Sequence, residues 1–390
     1  MNRFMRMLIV LTIFSLTFSG VGLAKEIKIG LLSDLSGPTS TVGRPYAQGV
    51  KDCAKYLNSQ GGIAGQKIKL IQVDYAYNAQ QAISAYKKFV TRDKIVAMQG
   101  WGTADTEALT RFVARDKIPT FSASYSAHLT DPKKAPYNFF IAADYSTQLR
   151  AALKYFKEHW TESRAPRLAF VYPDHPYGLA PIPAGKEFAK QLGYEIVGEE
   201  NVSLKAIDAT TQLLNLKKKN PDYVWIGGTS PSTAVIMKDA QKLNFKPTFF
   251  ANIWGADENL IKLAGTACEN QYSLQAAAIY GQDVPGMKII KELTQNQPQM
   301  THYIRGFASM LVMAEGIKRA AAKGKITGPA IKEALETLRD YDPMGLTPPI
   351  SYYPDDHRPN LSVFIYQIKN GKLTFVSAQS LPRKKEWLGK

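Results

Sequence analysis

Short apolar runs alternate along the chain with longer segments whose apolar residues recur every three or four positions. Residues 27–32 form one such run, and residues 42–57 follow with apolar side chains at the spacing of a single helix face. A glycine-rich turn at 61–65 precedes a second apolar run at 67–74. Because strands and amphipathic helices alternate in this way, the pattern predicts a parallel β-sheet with helices on both of its faces.

The same alternation continues to residue 122 and starts again after Tyr145, which predicts a second doubly wound unit and an α/β fold class. A closing hairpin is predicted from two apolar runs that flank Asn370-Gly371, a dipeptide typical of a two-residue turn. The further predicted strands are 95–99, 118–122, 167–171, 195–202, 223–226, 248–252, 362–367 and 373–377. The further predicted helices are 82–90, 105–115, 149–160, 185–192, 211–219, 233–243, 303–322 and 328–338.

The first 24 residues have the three parts of a secretory signal peptide. Arg3 and Arg6 make a positive start, residues 8–18 are apolar, and Gly22-Leu23-Ala24 supplies small residues for cleavage after Ala24. No cysteine stands at that point to accept a lipid, and no later stretch approaches 18 apolar residues. We therefore expect a soluble periplasmic protein of about 366 residues, a length that suits two lobes.

The chain carries a formal net charge of +16, which falls to +14 once Arg3 and Arg6 are removed. The excess is scattered in small groups such as 217–219 and 383–385. Two interpretations stay open: a solvated basic surface, or a functional patch for an acidic ligand or an anionic membrane. Since a secreted protein meets little nucleic acid, we expect no nucleic-acid partner.

Sequence motifs for catalysis, metals or cofactors are missing. The chain has no G-x-S-x-G elbow, no H-E-x-x-H pair and no G-x-x-x-x-G-K-[ST] loop. Its five histidines are dispersed without metal-ligand spacing. The first βα turn, residues 33–38, lacks G-x-G-x-x-G, which argues against a dinucleotide. We expect neither an enzyme nor a metal or cofactor site.

Seven residues with aromatic rings or hydroxyls lie just past predicted strand ends. Ligands of parallel sheets bind beyond the carboxyl ends of the strands, and two facing sheets put those ends on either side of one cleft. Rings supply apolar contact area, and hydroxyls with helix N-terminal N–H groups hold anions. Each residue alone also fits loop packing or helix capping, but together they predict a binding site. The candidate ligand-binding residues are Trp101, Thr103, Ser124, Tyr125, Tyr177, Thr229 and Trp254.

Five short motifs stand at turns and strand ends along the chain. They are Ser36-Gly37-Pro38, Gly61-Gly62-Ile63-x-Gly65, Asp131-Pro132, Pro176-Tyr177-Gly178 and Asp356-His357-Arg358. In their order and spacing they resemble the leucine/isoleucine/valine-binding type of periplasmic solute-binding protein, which serves ABC importers. The resemblance extends over residues 27–378, nearly the whole mature chain.

This resemblance implies a type I periplasmic binding protein, in which two doubly wound lobes are joined by three crossover strands and close around the ligand like a hinged trap. The implied crossovers lie near 142–145, 276–280 and 341–346. The implied lobes are 25–143 plus 279–342 for lobe one and 144–278 plus 343–390 for lobe two. The protein, expected to be a monomer, would deliver a small-molecule ligand to the permease and ATPase subunits of an ABC transporter in the inner membrane.

Cys53 and Cys268 are the two cysteines of the chain. An oxidising compartment permits a disulfide, but the implied lobes put Cys53 in lobe one and Cys268 in lobe two. A bond between them would fasten together parts that must move. We therefore expect two free thiols.

The residues that would hold an amino acid depart from the family's pattern. Amino-acid binders of this type hold the α-carboxylate with a serine-rich loop and a small-residue/threonine loop, which here read Gly100-Trp101-Gly102-Thr103-Ala104 and Ser122-Ala123-Ser124-Tyr125. The family's acidic residue for the α-ammonium falls where this chain has Trp254. Burying an unpaired ammonium costs several kcal/mol, and a cation–π contact returns about 2 kcal/mol at best.

We therefore expect the ligand to be a carboxylate with an aromatic or otherwise apolar body. A branched-chain amino acid stays open as the competing ligand, provided that Asp257 or Asp105 turns toward its ammonium group. A ligand-sensing regulatory domain on the same fold is the alternative from another functional class, and it would act through a partner receptor or regulator.

Overall fold

The computed structural model describes residues 26–390, and the signal peptide predicted for residues 1–24 lies outside the described residues. Two β-sheets organise the described chain. The strands of the first sheet are β1 (Ile27–Ser33), β2 (Ile68–Asp74), β3 (Ala97–Gln99), β4 (Thr120–Phe121) and β5 (Asn138–Phe139). They lie in the order β2-β1-β3-β4-β5 and all run parallel, with Ser33 at the end of β1 opposite Asp74 at the end of β2.

The second sheet is larger and closes with a hairpin. Its strands are β6 (Arg167–Tyr172), β7 (Glu195–Asn201), β8 (Tyr223–Ile226), β9 (Thr248–Ala251), β10 (Tyr272–Gln275), β11 (Ser362–Lys369) and β12 (Lys372–Ser380). They lie in the order β12-β11-β10-β9-β8-β6-β7. Strands β6 to β10 pair in parallel, whereas β11 runs antiparallel to both β10 and β12.

Helices connect the parallel strands and cover the sheets. They are α1 (Ser40–Ser59), α2 (Ala79–Lys88), α3 (Thr103–Asp116), α4 (Tyr145–Glu158), α5 (Pro176–Leu179), α6 (Ile182–Gln191), α7 (Thr210–Lys219), α8 (Ser230–Lys242), α9 (Glu258–Ala264), α10 (Pro285–Leu293), α11 (Thr301–Ala322) and α12 (Gly328–Leu335). A π-helical turn at Phe89–Asp93 continues α2, and 3-10 turns occur at Ala127–Thr130, Gly265–Cys268 and Lys385–Trp387. Among the helices of residues 26–390, none combines the length and apolarity needed to cross a membrane.

Strand β6 shows why the central strands read as continuous apolar runs. Leu168 and Phe170 point into the large core that extends to the first sheet. Ala169 and Val171 point to the opposite face, into a separate core built with α7, α8 and α9. Because both faces of a parallel strand are covered by helices, its side chains are apolar on both sides rather than alternating.

The predicted α/β fold with two doubly wound units is confirmed. The strand predicted at 223–226 coincides with β8, and every other predicted strand begins and ends within three residues of an observed one. The prediction missed β5, β10, α5, α9 and α10. These elements have two to nine residues, too few for an apolar period to stand out from its surroundings.

The chain passes between the two sheets three times. It leaves the first sheet after β5, returns after β10 to the helices α10–α12, and leaves again after α12 to enter β11. Helix α11 packs on α1 and α12 packs on α11, so these helices belong with the first sheet. The crossovers expected near 142–145, 276–280 and 341–346 lie in these connections, and the lobe boundaries drawn through them stay a prediction.

The two cysteines are free, as expected. Cys53 lies buried in α1 and Cys268 lies buried in the 3-10 turn after α9. Burial raises the pKa of the Cys53 thiol well above its usual value and raises that of Cys268 to about 11. Since the thiolate is the reactive form, neither residue is disposed to react near neutral pH.

Helices α1 and α11 cross at two glycines that let their backbones touch. A Cβ atom at Gly49 would lie 2.0 Å from the carbonyl oxygen of Tyr303, and one at Gly306 would lie 2.0 Å from that of Tyr46. Both distances are far below van der Waals contact, so a side chain at either position forces the helices apart. The crossing holds Tyr46 on α1 close to Arg305 on α11.

Replacement of Gly49 by alanine is expected to destabilise the protein. Because the two backbones must separate to admit the methyl group, the free energy of unfolding should fall by about 1–3 kcal/mol, the usual range for overpacking. Urea denaturation followed by circular dichroism measures this loss. Gly100→Ala is the matched control, since its added Cβ would lie 3.4 Å from the nearest atom, on Thr120. Equal stability of the two variants would contradict the close crossing.

Candidate functional site

Loops at the carboxyl ends of both sheets surround a cavity whose empty space, including the solvent at its open side, is about 270 Å³. The elements of the first sheet contribute Thr39, Val42, Tyr77, Trp101, Gly102, Thr103 and Ala123 to its lining. The elements of the second sheet contribute Tyr145, Tyr177, Thr229 and Trp254. Aromatic rings therefore face each other across the cleft.

Two edge-to-face ring pairs shape this cavity. The rings of Trp101 and Trp254 lie 5.1 Å apart at 70°, and those of Tyr145 and Tyr177 lie 5.5 Å apart at 72°. The Trp254 Nε1–H also donates to the Tyr145 hydroxyl at 3.0 Å. Such pairs contribute about 0.5–1.5 kcal/mol each beyond their buried area, so they help to hold the rings of this apolar wall in place.

Asp34, in the turn after β1, fixes the orientation of Trp101. Its carboxylate accepts the backbone N–H of Gly37 at 2.6 Å and both the N–H and the hydroxyl of Thr39, at 2.8 and 2.6 Å. The Thr39 Oγ1 in turn accepts the Trp101 Nε1–H at 2.8 Å. A chain of hydrogen bonds thus runs from the turn carboxylate to the indole that lines the cavity.

Tyr77 reaches the cavity from a strained turn after β2. Ala76 and Tyr77 both have left-handed backbone conformations, with φ of 49° and 59°. Such conformations cost a side-chain-bearing residue of order 1 kcal/mol or more, and they cluster where a structure must present a functional group. The Tyr77 ring stacks on His175 at 5.3 Å, and a Cβ at Gly102 would meet the same ring at 2.4 Å. Glycine at 102 is therefore required by the position of Tyr77.

Two helix N-termini bring polar groups to the cavity. Gly102 and Thr229 immediately precede α3 and α8, and both line the cavity. The positive ends of these helices favour a negative charge between them. The Thr103 hydroxyl pairs with that of Ser124 at 2.8 Å. The Thr229 Oγ1 is buried and has no hydrogen-bond partner within the described part of the chain, so it is available to a ligand.

Asp257 is not available to a ligand, because its carboxylate is fully engaged. It caps α9 by accepting the N–H groups of Asn259 and Leu260, and it accepts the Ser230 hydroxyl at 2.9 Å. The Nε2 atom of His302 lies 2.6 Å from Oδ2 of Asp257, the same oxygen that accepts the Ser230 hydroxyl. Burial opposes the ionisation of Asp257, but these hydrogen bonds together lower its carboxyl pKa.

His302 links this carboxylate to a buried arginine. Its Nδ1 accepts from Nη2 of Arg305, so the ring carries its proton on Nε2, toward Asp257. Burial and the neighbouring positive charge of Arg305 lower the pKa of the imidazole to about 4. The histidine is therefore neutral at physiological pH, and the Arg305 charge lies against the face of Trp254, with the guanidinium carbon 4.0 Å from the ring centre.

Asp105 is likewise engaged and fully buried. It accepts the Tyr75 hydroxyl at 2.8 Å and the backbone N–H of Gly102 at 3.2 Å. Burial raises the pKa of its carboxyl to about 7, although both hydrogen bonds oppose the rise. Neither Asp105 nor Asp257 is thus free to pair with the ammonium group of a bound amino acid.

Five of the seven residues predicted from the sequence line the cavity: Trp101, Thr103, Tyr177, Thr229 and Trp254. The other two lie directly behind it. Ser124 is hydrogen-bonded to Thr103, and the Tyr125 ring stacks on Trp254 at 5.7 Å and 14°. The seven residues therefore form one cluster, with Ser124 and Tyr125 supporting the wall rather than forming it.

Six lining residues escaped the sequence prediction. Tyr77 follows β2, and the predicted cleft did not include the end of that strand. Tyr75 and Tyr77 nevertheless show the same aromatic signal as the other loops. Tyr145 begins α4 after a crossover, where no strand end marks it. The others are Thr39, Val42, Gly102 and Ala123. Across residues 26–390, no three histidine, cysteine, aspartate or glutamate side chains cluster as a metal site.

A comparison of the sequence with known protein families agrees with this fold and its cleft between two sheets. The family described as periplasmic binding protein matches residues 26–372. The chain belongs to the periplasmic binding protein family. This membership confirms the resemblance to the leucine/isoleucine/valine-binding type that the short motifs indicated.

One sequence relative and two solved structures are similar to this periplasmic binding protein. The Leu/Ile/Val-binding protein of Escherichia coli (strain K12) is 24% identical over 255 residues, which are 65% of this chain and 69% of the relative. The crystal structure of an ABC transporter substrate-binding protein from Aeropyrum pernix is 32% identical, with a TM-score of 0.87 over 93% of this chain and 98% of the other. A fatty acid ABC transporter substrate-binding protein from Thermomonospora curvata is 20% identical, with a TM-score of 0.83 over 93% and 94%.

The stability of this periplasmic binding protein is expected to carry a pH dependence from Asp105. Unfolded aspartate titrates near pH 3.9, whereas the folded carboxyl has a pKa of about 7. The folded chain therefore keeps a proton that the unfolded chain has lost, and this contribution to the free energy of unfolding declines as the pH rises from about 4 to about 7. Asp105→Asn cannot ionise and lacks this contribution.

The measurement is the difference in free energy of unfolding between the wild type and Asp105→Asn, which should fall from about pH 4 to about pH 8. Asp116→Asn serves as the control, because Arg115 lowers the pKa of the Asp116 carboxyl and no fall is expected there above about pH 5. A flat difference for Asp105→Asn would mean that the carboxyl is ionised throughout.

Proposed function

We propose that this chain is the substrate-binding protein of an ABC importer and that it captures a small carboxylate with an apolar or aromatic body between its two lobes. The cavity and its aromatic walls support a small, largely apolar ligand. Delivery to a membrane permease with its ATPase follows from this role. The protein acts as a periplasmic monomer without catalytic activity.

The surroundings of Trp254 carry the proposal on the ligand. By resemblance, Trp254 occupies the position at which amino-acid binders of the family hold the α-ammonium with an acidic residue. The neighbouring carboxylates of Asp257 and Asp105 are bound to protein groups, and the charge that lies against the indole is the positive one of Arg305. An ammonium group would therefore be buried without a counter-charge, which costs several kcal/mol.

An anionic group is favoured for two further reasons. The positive ends of α3 and α8 meet at the cavity, and the unpaired Thr229 hydroxyl offers a hydrogen bond. The positive net charge of the chain assists the approach of an anion. A ligand-sensing role on the same fold remains the alternative, and permease and ATPase genes beside this gene would favour import.

A thermal-shift screen tests the ligand class. Benzoate and cinnamate represent aromatic acids, and leucine represents the branched-chain amino acids that the E. coli relative is named for. A ligand at 100 times its dissociation constant should stabilise the protein by about 2.7 kcal/mol. We expect a shift with at least one acid and none with leucine. A shift with leucine alone would show that the ligand is an amino acid.

Replacement of either indole is expected to weaken binding of the acid found in that screen. Trp101→Ala and Trp254→Ala each remove one wall of the cavity, and the loss should be about tenfold or more in affinity. Isothermal titration measures the affinity, and circular dichroism verifies the fold. Trp160→Ala is the control, because its indole donates to Arg164 O and does not line the cavity. Unchanged affinity in both site variants would remove these residues from the binding site.

A further inference from the structure

Three fully buried side chains near Trp254 carry polar atoms that have no hydrogen-bond partner among residues 26–390. The atoms are Nε and Nη1 of Arg305 and the hydroxyl oxygens of Tyr46 and Tyr125. None of the three residues is more than 1% exposed. Buried polar groups in folded proteins are nearly always paired, so several free ones in one place require an explanation.

The three side chains lie close enough for their charges to interact. Burial raises the pKa of Tyr125 to about 12, and the positive charge of Arg305 opposes that rise. Burial also raises the pKa of Tyr46, where Tyr125 adds to the rise and Arg305 opposes it. Ser309 lies beside the Tyr46 hydroxyl, but it donates its own proton to Gln99 Oε1 at 2.8 Å. The three side chains also surround one indole, since the Trp254 ring lies 4.0 Å from the guanidinium carbon of Arg305 and 5.7 and 6.2 Å from the rings of Tyr125 and Tyr46, so they form one cluster.

Within residues 26–390, protein groups satisfy one nitrogen of the Arg305 guanidinium and leave the other two without a partner. Nη2 donates to the carbonyl oxygen of Ile253 at 2.8 Å and to His302 Nδ1. No carboxylate of the described chain lies within ion-pair distance of Arg305; Asp257 is separated from it by the neutral imidazole. A buried guanidinium stays charged and is costly to leave without an acceptor, so the cluster favours an anion.

The Trp254 indole covers this cluster from the other sheet. The indole stacks on Tyr125 and lies 4.0 Å from the guanidinium carbon of Arg305. It follows β9 of the second sheet, whereas Tyr46, Tyr125 and Arg305 lie on α1, the loop after β4, and α11, all packed with the first sheet. Separation of the two sheets therefore withdraws the indole and opens the cluster to the cleft.

We propose that the Arg305 guanidinium and the Tyr46 and Tyr125 hydroxyls form the subsite that receives the carboxylate of the ligand. This inference rests on the proposed function and names the group that selects the acid. A guanidinium can only donate, phenols readily donate, and a carboxylate accepts about four hydrogen bonds. An ammonium group offers only donors and a second positive charge, so the same subsite rejects an amino acid at its amino end.

This assignment gives the carboxylate to Arg305 rather than to the N-termini of α3 and α8. Those helix ends contribute a weaker field of the same sign to the cavity. The Trp101 ring lies 5.3 Å from that of Tyr46, so the apolar body of the acid can pack against the indoles while its carboxylate meets the donors.

Isothermal titration with the mature protein near neutral pH tests the subsite. The probes are benzoate and cinnamate, each compared with its neutral primary amide. The wild type should prefer the acid, and Tyr46→Phe and Tyr125→Phe should each weaken acid binding about tenfold, the effect of one hydrogen bond to a charged group. Arg305→Met should weaken acid binding about a hundredfold, and the preference for acid over amide should shrink in all three variants.

The two phenylalanine variants make the test independent of folding. Each removes only a hydroxyl that has no protein partner, so the melting temperature without ligand should stay level or rise. Two controls should leave acid affinity unchanged: Tyr86→Phe, whose hydroxyl donates to Asp116, and Arg319→Met, whose guanidinium pairs with Glu315 on the same helix as Arg305.

The outcomes separate the subsite from the proposed function. Acid affinity within about twofold of wild type in the Tyr46→Phe/Tyr125→Phe double variant overturns the subsite but leaves the proposed function intact. If the wild type binds leucine and no aromatic acid, the proposed function fails, and acetate then becomes the probe of the subsite. A larger acetate-induced rise in melting temperature for the wild type than for the double variant supports the subsite, and an equal rise overturns it.

Discussion

Trp254 leaves the end of β9 in the second sheet and packs among side chains of the first, 5.1 Å from Trp101 and 5.7 Å from Tyr125. Three features of the cleft depend on the position of this indole. The Trp254 side chain forms one wall of the cavity, donates its indole N–H to the Tyr145 hydroxyl, and covers the Arg305 guanidinium. Because the indole and its partners are carried by different sheets, opening of the cleft must break the same contacts that close it.

The cleft buries several ionisable groups. Asp257, His302 and Arg305 form a hydrogen-bonded row across the cleft, and Asp105 lies buried beside the opposite wall. Burial of such groups is costly unless they are paired, and the hydrogen bonds within this row offset that cost for Asp257 and His302. The backbone contact at Gly49 and Gly306 supports the row, since it holds the helix that carries His302 and Arg305 against α1.

Sequence patterns were sufficient for the fold and placed five of the seven candidate residues in the lining of the cavity. The apolar run at 223–226 is buried on both faces in β8. Such a run predicts a parallel strand even when the neighbouring strands are unknown. Trp101 and Trp254 were found because each directly follows a strand end. Tyr77 was missed because it depends on a left-handed turn, and Arg305 because it lies in the middle of a long helix that reads as apolar core.

The sequence by itself determined the α/β class, the two doubly wound units and the loops that line the cleft, because hydrophobic period and strand ends are local properties. Only the tertiary structure decided which charged groups lie near the cavity and which of them are already paired. The carboxyl groups of Asp105 and Asp257 stand near the predicted loops in sequence, yet hydrogen bonds from Tyr75 and His302 engage them. Arg305 comes close to Trp254 from 51 residues away, and only the packing of α11 on α1 and the approach of the two sheets bring them together.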